Sequence, residues 1–213
     1  MTNLLFDLDG TLVDSREGIL SSLKLAFASL DRETPSDSQL EGVIGPPIHQ
    51  SISHLLNTRD EKLIWQAVRA YRQHYAEVGI NGHAVYDGLA NTLEYLKTAG
   101  ARMFVATSKP VTFAAQIIQQ HGLSDFFKTV YGSELDGTRS DKGELIAYVL
   151  ASEGLSPDTC LMIGDRKHDI IGAVKNSVDS AGVLWGYGSR DELVVAGANR
   201  ILERPSCLTD LVD

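Results

Sequence analysis

Short apolar runs, each ending in a polar or glycine-containing segment, recur along the chain. Asn3 to Phe6 leads into Asp7, Arg102 to Ala106 into Thr107-Ser108-Lys109-Pro110, and Thr129 to Tyr131 into Gly132. Cys160 to Ile163 leads into Gly164-Asp165, and Val183 to Trp185 into Gly186. Runs of this length with polar stops predict strands. Amphipathic stretches lie between them. Glu144 to Ala151 puts Leu145, Ile146, Val149 and Leu150 on one helical face, with Gly154 as a stop. Leu89 to Lys97 does the same with Leu89, Leu93 and Leu96, ahead of Gly100. Strands alternating with helices predict an α/β fold, a parallel sheet covered on both faces.

One region breaks the alternation. From about Ser15 to Gly79 only helical periodicity is visible, in a stripe of Ile19, Leu20, Leu23, Ala26, Phe27 and Leu30 and another of Leu63, Ile64, Ala67, Val68 and Tyr71. Gly45-Pro46-Pro47, a rigid turn, separates them. Sixty-odd residues is too long for an ordinary crossover. The expectation is a helical domain, residues 15–81, inserted into a core made of 1–14 and 82–213.

Candidate chemistry gathers where the strands end. Asp7 and Asp9 are one residue apart, so in extended chain both carboxylates face one way. Gly10 allows a turn after them, and Thr11 adds a hydroxyl. Two like charges this close require a cation between them or a proton on one, which leaves open a metal site or a nucleophile beside an acid. Asp165 and Asp169 share a face at a helix start. Thr107 and Ser108 end another strand, where a hydroxyl and backbone N–H groups suit an anion. Lys142 opens a helix. In a parallel sheet these ends line one edge, the edge at which open α/β sheets bind ligands.

Composition narrows the classes. The chain has 213 residues, 43% of them apolar, and a formal charge of −9. That is enough apolar surface for a packed core and the wrong charge for a nucleic-acid polymer as main partner. No apolar run approaches the ~18 residues of a membrane helix, and the first residues lack the basic start and apolar stretch of a secretory signal. A cytoplasmic location with Cys160 and Cys207 reduced is the expectation. Three lookalikes fail. Gly132 to Gly137 has P-loop glycine spacing but is followed by Thr138-Arg139, and Gly186-Tyr187-Gly188 has Asp191 where a dinucleotide fingerprint needs glycine. The six histidines show no zinc spacing.

Asp7-Leu8-Asp9-Gly10-Thr11-Leu12-Val13-Asp14-Ser15 resembles the first motif of the haloacid dehalogenase-like phosphohydrolases. Thr107, Lys142 and Gly164-Asp165-Arg166-Lys167-His168-Asp169 match the second, third and fourth in order. The resemblance covers essentially the whole chain and is strongest to the phosphoglycolate phosphatase branch, some relatives of which are nucleotidases. It implies a doubly wound, Rossmann-like parallel sheet with an inserted helical cap. It further implies Mg²⁺-dependent hydrolysis of a small phosphorylated metabolite through an aspartyl-phosphate. On that resemblance Asp7 is the nucleophile and Asp9 the acid and base. Lys142 and Thr107 bind phosphoryl oxygens. Asp7, the Asp9 main-chain carbonyl and Asp165 hold the metal, and Asp169 holds a metal-bound water or Lys142. Thr11 and Ser108 are expected to join in substrate binding, with Gly45, Ile48 and His49 contributed by the cap. Asp9 argues against a dehalogenase, whose halide leaving group needs no proton. A 5′-nucleotidase-type phosphatase and a sugar phosphomutase are the alternatives, ahead of a non-catalytic binding protein.

Overall fold

The computed structural model describes residues 2–212. The chain divides into two compact units, one made of the chain up to Asp14 and from Val85 onward, the other of Ser15–Ala84.

The first unit holds the strands β1 (Asn3–Phe6) and β2 (Val13–Asp14). After the second unit come β3 (Ala84–Val85), α5 (Leu89–Thr98), β4 (Arg102–Pro110), α6 (Val111–Gln120), β5 (Thr129–Ser133) and α7 (Lys142–Glu153). The chain continues through β6 (Cys160–Gly164), α8 (Lys167–Lys175), β7 (Asp179–Val183), α9 (Arg190–Val195) and β8 (Arg200–Leu202). Six strands form one sheet in the order β5-β4-β1-β6-β7-β8, and a separate two-stranded sheet joins β2 and β3. Every pairing in the large sheet is parallel, with Leu5 level with Phe104 on one side and Met162 on the other. Leu4, Leu5 and Phe6 are wholly buried, as a central parallel strand between two helical layers requires. Leu145, Ile146 and Val149 of α7 pack on Leu5, Phe104 and Met162 to form the core. The chain winds outward from β1 through β4 and β5, then on the other side through β6, β7 and β8. Asp7 follows the strand at which that direction reverses, where the edge of such a sheet opens into a crevice.

Some strand boundaries differ from those the sequence predicts, and one strand is not predicted. The strand expected at Val183 to Trp185 is β7, Asp179–Val183. Its apolar signal is hidden because Ser180, Ala181 and Gly182 are small: a Cβ on Gly182 would fall 2.9 Å from Leu193 Cδ1. β8, only three residues long, is too short to give an apolar run in the sequence. β4 continues past Ala106 to Pro110, with an irregular register between those residues.

The second unit holds α1 (Arg16–Ala28), α2 (Asp37–Glu41), α3 (Ile48–Leu56) and α4 (Glu61–Glu77). Asp60 caps α4 by accepting from the N–H groups of Lys62 and Leu63. Ile19, Leu20, Leu23, Ala26 and Phe27 of α1 and Ile64, Ala67, Val68 and Tyr71 of α4 are buried; Leu30 lies beyond the end of α1. Gly18 and Gly79 close the unit on itself. A Cβ on Gly18 would sit 2.0 Å from the Gly79 carbonyl oxygen, and Gly18 N–H donates to the Gly82 carbonyl. Gly45 adopts φ +111, a conformation that side chains disfavour, and Pro47 is the residue from which α3 starts.

Candidate active site

Asp7 is delivered by the end of β1, and its N–H donates to the carbonyl of Ile163 on the neighbouring strand. Lys142 comes from 135 residues away, as the first residue of α7. Asp141 caps that helix by accepting from Glu144 N–H. Two glycines let the helix reach the site: a Cβ on Gly172 would meet Lys142 Cγ at 2.9 Å, and one on Gly164 would meet Asp169 Cγ at 2.2 Å. The Lys142 ammonium, 3% exposed, lies 2.9 Å from Asp7 Oδ1, 2.8 Å from Asp169 Oδ1 and 2.9 Å from the Ala106 carbonyl. Asp169 also accepts from Arg166 N–H, which ties it to the start of α8.

Asp165 completes the group. Carboxylate oxygens of Asp7, Asp165 and Asp169 lie within 4.8 Å of one another. Backbone surrounds Asp165 closely: Tyr187 N–H donates to its Oδ2 at 2.8 Å. A Cβ on Gly10 would fall 2.2 Å from the same oxygen, and one on Gly188 would fall 1.9 Å from the Asp165 carbonyl oxygen. The rejected dinucleotide lookalike thus has its own purpose. Glycines at 186 and 188 allow a loop to press against the acid.

Three buried carboxyl groups lie beside one ammonium, which contacts Asp7 and Asp169. Burial, together with the neighbouring Asp169 and Asp9 charges, overcomes the pull of Lys142 and raises the Asp7 carboxyl to about 6. Burial and the Asp169 and Asp7 charges raise Asp165 well above the usual carboxylate range. Burial works against the Lys142 charge as well, but Asp169 and Asp7 outweigh it and hold the ammonium above its ordinary value. Hard oxygen donors gathered in one buried cradle fit a divalent cation such as Mg²⁺.

Asp9 stands outside this group. Both of its carboxylate oxygens lie 2.8 Å from Lys109 Nζ. Thr107 is buried, and its Oγ1 accepts from Lys109 N–H at 3.2 Å. Ser108 is half-buried, and its carbonyl accepts from Ser133 Oγ. Thr11 is buried with its hydroxyl 3.5 Å from Asp165 Oδ1, the outer limit of a hydrogen bond. Gly45, Ile48 and His49 belong to the helical unit. There His49 Nε2 is 2.9 Å from Glu61 Oε2, and its ring lies against Trp65 with centroids 5.1 Å apart. Sequence reasoning passes over Lys109, although it sits two residues after Thr107 and therefore on the same side of an extended strand. It also misses Tyr187, for which only the neighbouring glycines give a signal.

A parallel sheet whose open edge gathers acids around buried lysines is the arrangement of a doubly wound α/β protein that binds its ligand at the strand ends. The chain belongs to the haloacid dehalogenase-like hydrolase family, whose model matches residues 4–183, and it is a phosphoric monoester hydrolase. It is 48% identical over 191 residues to a 5′-nucleotidase of Pseudomonas aeruginosa, covering 90% of this chain and 86% of that one. It is 36% identical over 189 residues to the tyrosine-protein kinase PtkA of Mycobacterium tuberculosis, covering 88% of this chain but 64% of that protein. A phosphoglycolate phosphatase of Colwellia psychrerythraea is 27% identical over 197 residues, with 89% and 87% covered. Among solved structures, a predicted phosphatase from Clostridium acetobutylicum superposes with a TM-score of 0.95 at 40% identity, covering 99% of this chain and 97% of that one. No helix among the described residues is long and apolar enough to cross a membrane.

Proposed function

We propose that the enzyme hydrolyses small phosphate monoesters through an aspartyl-phosphate on Asp7, with Mg²⁺ as its metal. The observation that carries this reading is the buried grouping of Asp7, Asp165 and Asp169 beside Lys142. A phosphate monoester is a dianion with a poor leaving group, so hydrolysis needs neutralised charge and a positioned nucleophile. An Asp7 oxygen attacks phosphorus as the bond from phosphorus to the alcohol oxygen breaks. Asp9 gives its proton to that departing oxygen. Water then attacks the phosphorus of the aspartyl-phosphate and loses a proton to Asp9. The bond to Asp7 breaks, inorganic phosphate leaves, and Asp9 is protonated again. Lys142 balances the Asp7 and phosphoryl charge, and Asp169 steadies the ammonium. Thr107, Ser108 and Thr11 assist in holding the substrate. Asp7, the Asp9 main-chain carbonyl and Asp165 would hold the Mg²⁺, with Asp169 behind them. Bound there, the ion would supply positive charge to the phosphoryl oxygens.

Residues 15–81 are assigned to a cap that selects the substrate through Gly45, Ile48 and His49. Within the substrate class, nucleoside 5′-monophosphates come before phosphoglycolate. The support is the 48% identity to a 5′-nucleotidase, against 27% to a phosphoglycolate phosphatase. A panel of monophosphates assayed with Mg²⁺ and with chelator tests both levels. Phosphate release is expected with Mg²⁺ alone, fastest from nucleoside monophosphates, and lost in Asp7→Asn with the fold retained. Turnover of wild-type size in a pure Asp7→Asn preparation excludes the covalent route.

A further inference from the structure

We propose that Lys109 is a positioning residue for Asp9, holding its carboxyl group in the orientation that proton transfer to the leaving oxygen requires. The proposal rests on the acid–base role assigned to Asp9 above. Its ammonium reaches across from β4, the strand beside β1, and meets both Asp9 oxygens at 2.8 Å. The Lys109 side chain is 6% exposed and that of Asp9 13%. A lysine is almost never buried to this extent without a partner. Rotation of a carboxyl about its last bond is otherwise broad and nearly free. A two-pronged contact removes that freedom, and one oxygen can keep the contact while the other carries the proton.

The backbone that aims Lys109 is itself held from both sides. Its N–H donates to Thr107 Oγ1, and Ser133 Oγ donates to the Ser108 carbonyl. Gly132 allows β5 to approach, since a Cβ there would lie 2.6 Å from the Lys109 carbonyl oxygen. These contacts fall where the pairing of β4 with β5 loses register, so the irregular segment is braced at the place where Lys109 leaves it. Each acid of the Asp7/Asp9 pair has its own cation. Lys142 is shared with Asp169 around the candidate metal site, whereas Lys109 grips the Asp9 carboxyl with both of its oxygens.

The test uses Lys109→Met, which keeps the stem and removes the cation, with an alkyl phosphate and nitrophenyl phosphate as substrates. Misplacing a catalytic group costs on the order of 10²-fold in rate. We therefore expect kcat/KM on the alkyl phosphate, which reports the first transfer to Asp7 before water enters, to fall by about 10²-fold, with KM little changed. The loss of kcat/KM on nitrophenyl phosphate, whose leaving group needs little help from an acid, should be below about 5-fold. In an Asp9→Asn background Lys109→Met should add less than about 2-fold, because the group it positions is already gone. Lys109→Gln, which removes the cation and shortens the reach to Asp9, gives the same selectivity should the methionine variant not fold. Equal losses on the two substrates, a raised KM as the main effect, or full additivity with Asp9→Asn overturns the proposal alone. An Asp9→Asn enzyme whose kcat/KM shows no leaving-group dependence overturns the acid–base reading, and this proposal with it.

Discussion

At the scale of single residues, the site is arranged around charge that has been taken out of water. A buried ion pair gains little stability once the desolvation of both ions is counted. The pairs Lys142–Asp7, Lys142–Asp169 and Lys109–Asp9 are better explained by chemistry than by folding. The glycines matter as much as the acids, because they admit backbone where a methyl group would collide. Gly188 gives the sharpest case, with the Asp165 carbonyl oxygen 1.9 Å from where its Cβ would be. Gly188→Ala should push the loop off Asp165 and disturb the Tyr187 N–H contact. The expected result is lower kcat and a raised half-saturating Mg²⁺ concentration, read from activity against Mg²⁺. An unchanged Mg²⁺ curve would show that the loop does not position this acid.

Elements meet the site with their ends, and what holds those ends is local. α7 begins at Lys142 because Asp141 caps it, and finishes at Gly154, which takes φ +61. Its far end is tied to β5 by Glu153. That carboxylate accepts from Lys128 Nζ, from Tyr131 Oη at 2.8 Å and from Thr129 Oγ1 at 3.0 Å. The Lys128 contact, with those of Tyr131 and Thr129, outweighs burial and holds the Glu153 carboxyl below its ordinary 4.5. Burial and the same glutamate push Tyr131 up to about 12. A carboxyl lowered by folding stabilises the fold above 4.5, and that contribution disappears as pH falls through the lowered value. Glu153→Gln should therefore reduce Tm at neutral pH, by an amount tempered by the exposure of Lys128. The gap to wild type should narrow in acid, and thermal unfolding across that range checks it. A gap independent of pH would assign the effect to packing instead of charge.

For the molecule as a whole, the parallel sheet brings together side chains that are far apart in the chain. Asp7 and Lys142 are 135 residues apart, and Asp9 and Lys109 are 100 apart. Only at a shared strand edge do they become neighbours. The helical unit is held by its own contacts, α1 on α4 and α3 on α4, with Gly18 and Gly79 in close approach. On the proposed reading of this unit as a cap, it would choose substrates without rebuilding the chemistry. Ile48→Ala and His49→Ala should change kcat/KM rankings among natural monophosphates by about 10-fold, the scale of one apolar contact. They should leave nitrophenyl phosphate hydrolysis nearly unchanged. An unchanged ranking in both variants would move specificity to other residues of the unit. His49 also meets Glu61 and Trp65, so the His49 variant needs a Tm measurement beside it.

What the sequence determined by itself is whatever short-range pattern can encode. The strands at Asn3, Arg102, Thr129 and Cys160, the helices around Leu89 and Leu145, the helical region after Ser15, and the acids after strand ends all follow from periodicity and stops a few residues long. Where packing asks for small side chains, or a strand is only three residues long, the signal fails, which is why β7 began four residues before the expected strand and β8 was invisible. The tertiary structure alone decided which charge answers which. Lys142 is paired with Asp7 and Asp169, Lys109 with Asp9, and Tyr187 N–H with Asp165. Those pairings depend on strand order, register and the approach of α7 to α8 across glycines. Such distances are set by the packing of whole layers, and no local spacing in the chain contains them.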